Sequence, residues 1–203
     1  ADGVRSRVSM SGTERVEGGD GGDVNSDTRL QTTDARARNV NVNAQAPLVI
    51  DSMVWEHSDA VLFIERASFG ADAWTEGQFW SELGAPAELK RYLVALRGGD
   101  VVGYAAVQFI APEAEVLTVA VHPEHRGQGI AAALVAALET AALGRRCTLM
   151  HLEVEQSNAA ARGLYEHLGY CDSGSRPNYY GRGRDAILMS KPLGTVTAPS
   201  EQT

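Results

Sequence analysis

Apolar and polar residues alternate in readable patterns between about Leu48 and Leu193, and the period of that pattern changes several times. Leu48 to Val54 predicts a first strand. Val61, Leu62, Glu65, Ala67 and Phe69 predict a helix that Ser58 or Asp59 can cap and Gly70 ends. A second helix is expected from Thr75, where Thr75 and Gln78 have the spacing of a capping box and Phe79, Trp80 and Leu83 supply a buried face. Gly84 and Pro86 stop it. Tyr92 to Leu96, the turn Gly98-Gly99-Asp100 and Val101 to Phe109 predict a hairpin, and Val116 to Val121 predicts a further strand. Ile130, Leu134 and Leu138 recur at helical spacing, with Ala133, Ala137 and Ala141 allowing close packing on a sheet. Thr148 to Glu155 is β-patterned. Asn158 to Leu168 is a short helix with the stripe Ala161, Leu164 and Leu168, closed by Gly169. Tyr170 to Ser175 and Ala186 to Met189 form a possible last strand pair. The fold class these elements predict is a mixed α/β sheet with one central strand, helix, strand, helix unit.

The ends lack this order. Residues 1–47 are rich in Gly, Ser, Asp, Asn, Thr and Arg, include Gly18-Gly19-Asp20-Gly21-Gly22, and predict a disordered extension. Residues 194–203 read as a tail, which leaves 48–193 as the one folded domain. A chain of 203 residues with 44% hydrophobic content can build one core of ordinary size. Its formal charge of −8 argues against a nucleic-acid surface and suits a cationic or amine partner. No run approaches the roughly 18 apolar residues of a membrane span, and the first 30 residues lack a secretory core. Cys147 and Cys171 have neither metal-site nor disulfide-scaffold spacing, so a cytoplasmic setting is expected. The histidines His122, His125, His151 and His167 do not share a metal-ligand spacing, and no metal is assigned.

The segment richest in chemistry is Val119-Ala120-Val121-His122-Pro123-Glu124-His125-Arg126-Gly127-Gln128-Gly129-Ile130-Ala131-Ala132. A strand passes through a Gly-containing turn into a helix whose first N–H groups, backed by the helix dipole, can hold a pyrophosphate. Glycine at 127 and 129 lets a ligand approach the backbone. A glycine turn that merely lets a helix pack would look the same. Gly127-x-Gly129-x-x-Ala132, with Glu153 about 20 residues beyond, also matches a dinucleotide fingerprint. Against that reading, His122 to Arg126 separate the strand from the first glycine, and too little chain follows Glu155 for a doubly wound sheet.

Arg126-Gly127-Gln128-Gly129-Ile130-Ala131 resembles the acetyl-CoA signature of the GNAT N-acetyltransferases. Leu152-Glu153-Val154, Ser157-Asn158, the alanines 159–161, Leu164-Tyr165-Glu166 and Leu168-Gly169-Tyr170 resemble the RimI branch of that superfamily. The resemblance spans about Leu48 to Leu193. It implies a GNAT fold, mostly antiparallel and flanked by helices, with acetyl-CoA as co-substrate. It also implies that Glu153 is the general base, Tyr165 the general acid and Asn158 a cofactor contact, with a backbone oxyanion donor at Val119, Ala120 or Val121. Asp72-Ala73-Trp74-Thr75-Glu76 and Arg176-Pro177-Asn178-Tyr179-Tyr180 resemble the RimI segments that line a peptide channel, which makes Trp74, Tyr179 and Tyr180 candidate acceptor contacts. Ala73 stands where proline is common in the family. The implied acceptor is the N-terminal alanine of a small-subunit ribosomal protein.

These roles make chemical sense. An α-ammonium of pKa near 8 must lose its proton before it attacks a thioester, negative charge then develops on oxygen, and the departing thiolate needs a proton. Taken singly, Glu153 and Glu155 on one strand face read as solvated charges, and Tyr165 beside Leu164 reads as packing. Acetylation of a small-molecule or polyamine nitrogen, a nicotinamide-dependent oxidoreductase and a non-catalytic acyl-CoA sensor are the other readings.

Overall fold

A computed structural model describes residues 7–9, 46–84, 86 and 88–194. The strands are β1 (Arg7–Ser9), β2 (Leu48–Ser52), β3 (Lys90–Arg97), β4 (Asp100–Ile110), β5 (Glu113–Val121), β6 (Leu149–Glu155), β7 (Cys171–Gly181) and β8 (Arg184–Pro192). The helices are α1 (Ser58–Phe69), α2 (Glu76–Leu83), α3 (Ile130–Gly144) and α4 (Ala159–His167). The sheet runs β2-β3-β4-β5-β6-β8-β7, antiparallel except for the parallel β5–β6 pair, and β1 lies parallel to β5.

Local chemistry accounts for most of the boundaries. Gly98 and Gly99 take φ of 60° and 91° in the β3–β4 turn, a conformation that costs a side-chain-bearing residue a steric penalty. Thr75 and Gln78 close the expected capping box: the Thr75 hydroxyl accepts from the Gln78 N–H at 3.3 Å, and the Gln78 side chain accepts from the Thr75 N–H at 2.9 Å. Asn158 caps α4, its Oδ1 accepting from the Ala161 N–H at 3.1 Å. α1 begins one residue earlier than a Ser58 cap and two residues earlier than an Asp59 cap would allow. Ser58 is its first residue, so its capping position falls on His57, which makes no side-chain cap.

Two apolar layers sandwich the sheet. On one face Ile130, Leu134, Val135 and Leu138 of α3, with Ala161 and Tyr165 of α4, pack on Leu93, Ala105, Val119, Leu152 and Val154. On the other, Val61, Leu62 and Ile64 of α1 and Phe79 of α2 meet Val94, Tyr104 and Ala120. Neighbours such as Leu93 and Val94, or Val119 and Ala120, divide between the faces as strand alternation requires. At Gly103 α3 packs directly on bare backbone: a Cβ there would lie 3.3 Å from both Ile130 and Leu134, and 3.0 Å from the Ala120 carbonyl of β5.

β5 and β6 are the pair that shapes the site. They hydrogen-bond only over Glu113–Glu115 and Leu149–His151. Beyond that, β6 follows β8 to Glu155 while β5 follows β4 to Val121, and the sheet forks. A bulge helps to open it: Ala106 faces Thr118 but Val107 faces Val116, so Leu117 is an extra residue that bends β5.

Two further features depart from the sequence reading. The last hairpin is longer, with β7 reaching Gly181 and β8 reaching Pro192. Its register slips between Arg176 and Gly181, so the apolar alternation that would mark a strand is lost there. Arg7–Ser9, inside the extension expected to be disordered, form β1 because the fork leaves them a strand edge to pair with. The rest of that extension up to residue 45, and the tail from 195, lie outside the described residues.

Candidate active site

The end of β5 turns through Pro123–His125 into Arg126 and the two glycines, and α3 starts at Ile130. Gly127 and Gly129 have φ of 72° and 77°, Gly129 being the residue that caps α3. Among the described residues, and apart from each glycine's own chain neighbours, no heavy atom lies within 4 Å of a Cβ built on either glycine. The two are therefore required by backbone conformation, and the space above them is open. The leading N–H groups of α3 have no intrahelical acceptor and face that space with the positive end of the dipole. Such a cradle fits a diphosphate.

Arg126 does not project into it. Its Nε donates to the Val121 carbonyl at 3.2 Å and its guanidinium reaches Ser68 at 3.4 Å, so the side chain ties the turn to α1. Burial lowers its pKa, although at this level the group stays a cation. The cation that does meet the turn is Arg97 at the end of β3, which donates to the Gln128 side chain. Arg97 is only 9% exposed, and its Nε has no partner among the described residues. Next to Gly98 and Gly99 it reads in sequence as a hairpin-end surface charge; only the fold carries it beneath the turn.

The other arm of the fork holds the acid. Glu153 is 4% exposed, which removes the reading of a solvated edge charge, whereas Glu155 on the same strand face is half-buried. Arg176 of β7 pairs with the Glu153 carboxylate at 2.6 Å and stacks its guanidinium over the Tyr179 ring at 5.5 Å. Tyr179 also hydrogen-bonds Glu153, and burial followed by that contact pushes its phenol well above the usual range. Tyr180 donates to the Glu153 carbonyl at 3.1 Å. Its phenol is raised by burial first and by the Glu153 charge second. Glu115, the last β5 residue paired to β6, has its carboxyl raised by burial and then by Glu153. The sequence reading missed Glu115, although Glu113-Ala114-Glu115 puts two acids on one strand face.

Tyr165 is fully buried, with its ring 5.5 Å from and edge-on to Tyr170. Its hydroxyl has no hydrogen-bond partner among the described residues, and burial alone raises its pKa far above the ordinary phenol value. A phenol held neutral in this way is a proton donor waiting for an acceptor. The side-chain oxygen of Asn158 is engaged in the α4 cap.

Trp74 packs with the α1–α2 layer, 6.5 Å from Phe79, and its backbone N–H donates to the buried Glu65 carboxylate at 2.8 Å. Glu65 also accepts from the Tyr104 hydroxyl. The residue of that loop that reaches the fork is Asp72. Arg184 bridges it at 2.8 Å to Glu155, which it grips at 2.8 and 3.0 Å. The loop before α2 and the β7–β8 hairpin are thereby joined through Arg184, an arginine that the sequence reading passed over.

Cys147 is buried, and its thiol donates to the Glu113 carbonyl at 3.3 Å, so it is a packing residue. A cavity of about 570 Å³ lined by Ile50, Arg91, Phe109, Thr140 and Arg145 shares no residue with the fork or the helix mouth. Among the described residues no group of three His, Cys, Asp or Glu side chains could hold a metal ion, and no helix is long and apolar enough to cross a membrane.

A sheet that forks at the parallel β5–β6 pair, with a glycine-capped helix mouth at the end of one arm and a buried acid on the other, is the architecture of the GNAT N-acetyltransferases. The chain belongs to the acetyltransferase (GNAT) family, whose model matches residues 55–170. Members of this family use acetyl-CoA. The ribosomal protein bS18-alanine N-acetyltransferase of Escherichia coli K12 is 36% identical over 150 residues, which cover 71% of this chain and 97% of that protein. The N-alpha-acetyltransferase RimI of Mycobacterium tuberculosis is 35% identical over 154 residues, covering 73% and 94%. The crystal structure of the ribosomal-protein-S18-alanine N-acetyltransferase from Escherichia coli matches with a TM-score of 0.66 at 30% identity, covering 77% of this chain and all of that one.

Proposed function

We propose that the protein transfers the acetyl group of acetyl-CoA to the N-terminal α-amine of a protein, with the N-terminal alanine of a small-subunit ribosomal protein as acceptor. The α3 mouth at Gly127–Ala132 holds the diphosphate. The β5 edge at Val119–Val121 aligns the pantetheine arm and offers a backbone N–H to the carbonyl oxygen as charge develops there. Glu153 takes the proton from the incoming ammonium, directly or through a water. The amine nitrogen bonds to the acetyl carbon and gives up its second proton, the carbon–sulfur bond breaks as the carbonyl re-forms, and Tyr165 protonates the sulfur and is reprotonated by the proton the nitrogen released. Arg176, Tyr179 and Tyr180 wall the acceptor side, where an entering ammonium competes with the Arg176 guanidinium for Glu153.

The single observation that carries this reading is the burial of Glu153 on the β6 arm of the fork, with Tyr179 hydrogen-bonded to its side chain and Tyr180 to its carbonyl. The relatives support the choice of an α-amine over a polyamine or small molecule. The test is mass spectrometry of a peptide panel incubated with isotopically labelled acetyl-CoA. Label on the α-nitrogen of Ala-starting ribosomal termini is expected. Label confined to lysine side chains or to polyamines would refute the acceptor assignment while leaving the fold family intact.

A further inference from the structure

β1 sits on the strand edge that the proposed reaction needs. Arg7, Val8 and Ser9 pair in parallel with Thr118, Val119 and Ala120, on the part of β5 that β6 has left after Glu115. Where β6 diverges it no longer supplies partners to β5, and an unpaired strand edge is a template for any extended chain. A backbone group that already donates to or accepts from β1 is not free for a second ligand. Val119 and Ala120 are the same residues that would align the pantetheine arm, so β1 and that arm cannot occupy the fork together.

We propose that the Arg7–Ser9 segment is an internal competitor of acetyl-CoA, which must leave the β5 edge before the co-substrate seats. The inference rests on the acetyl-CoA reading of the fork. The segment belongs to the same chain, so it competes intramolecularly rather than as a separate molecule. A three-residue strand pair is short enough to be displaced, and its occupancy scales the apparent affinity for the co-substrate by the fraction of molecules in which the edge is open. The extension would then set the acetyl-CoA level at which the enzyme works, without touching the chemistry at Glu153 or Tyr165.

The test uses the full chain and the double variant Val8→Pro/Ser9→Pro, since proline has no N–H and does not fit an interior ladder position. Calorimetry with acetyl-CoA should show binding about five to ten times tighter in the variant, with KM for acetyl-CoA lowered in step and kcat unchanged. Adenosine 3′,5′-bisphosphate, which has no pantetheine arm, should bind both proteins equally. Trypsin should cut after Arg7 faster in the parent when acetyl-CoA is added. Equal acetyl-CoA affinities, or an equal gain for the nucleotide alone, would overturn the competitor role while leaving the site assignment standing. Failure of both proteins to bind acetyl-CoA would instead remove the site assignment and, with it, this inference.

Discussion

The two arms of the fork are built by different means. The β5 arm and the α3 mouth beyond it consist of backbone conformation: two glycines at positive φ, the leading amides of a helix and a strand edge, all within residues 113–132. The β6 arm is finished by side chains from afar, with Arg176, Tyr179 and Tyr180 on Glu153, and Arg184 joining Glu155 to Asp72. A nucleotide-bearing co-substrate is the same in every turnover and suits a fixed backbone cradle. An acceptor varies between enzymes, and a wall of exchangeable side chains can be altered without disturbing that cradle.

That contrast can be broken most sharply at Glu153. Glu153→Gln should lower kcat/KM by about 10²–10⁴-fold with acetyl-CoA affinity retained, read by label transfer alongside calorimetry. Lost acetyl-CoA binding would mean that the two arms are not separable. Tyr165→Phe should reduce kcat by about 10²-fold, again with little change in acetyl-CoA affinity, because in the proposed reaction the hydroxyl acts as the thiolate leaves. Turnover equal to the parent's would assign the ring to packing against Tyr170 alone.

The opposite signature is expected on the other arm. Gly129→Ala places a Cβ at φ 77° and should cost about 1–2 kcal/mol of stability. It should weaken acetyl-CoA binding, while turnover at saturating co-substrate stays near the parent's. The smallest effect is expected at the Arg184 bridge. Arg184→Gln should cost about 1 kcal/mol, because the pair is partly exposed, and should raise KM for the acceptor peptide but not for acetyl-CoA. Its pH dependence has a defined sign. The Arg184 hydrogen bonds hold the Glu155 carboxyl below its ordinary value near 4.5, so the stabilisation is present above that value and is lost as pH falls through the lowered one. Melting curves of parent and variant should differ near neutral pH and converge in acid.

Much of this site can be read from the chain, and the part that cannot has a common cause. Gly127, Gly129, the Thr75–Gln78 box and the Asn158 cap act within a few residues of themselves, so their spacing reports their role. Arg97 beneath Gln128, Arg176 on Glu153 and Arg184 between Asp72 and Glu155 join residues that are remote in the chain. A lone arginine carries no mark of which distant acid it will meet. Arg126 shows the converse: its motif position suggests an anion contact, yet its guanidinium turns inward to Val121 and Ser68.

By itself the sequence determined most of the elements, their order and the glycine turn, because hydrophobic period and turn chemistry are local properties, and its family resemblance singled out Glu153 and Tyr165 as the candidate acid and phenol. Tertiary structure alone decided that β5 and β6 part after three residue pairs, that Glu153 is buried rather than solvated, and that β1 lies in the gap. Those outcomes depend on a bulge, on burial and on a free strand edge, which exist only once distant segments have come together.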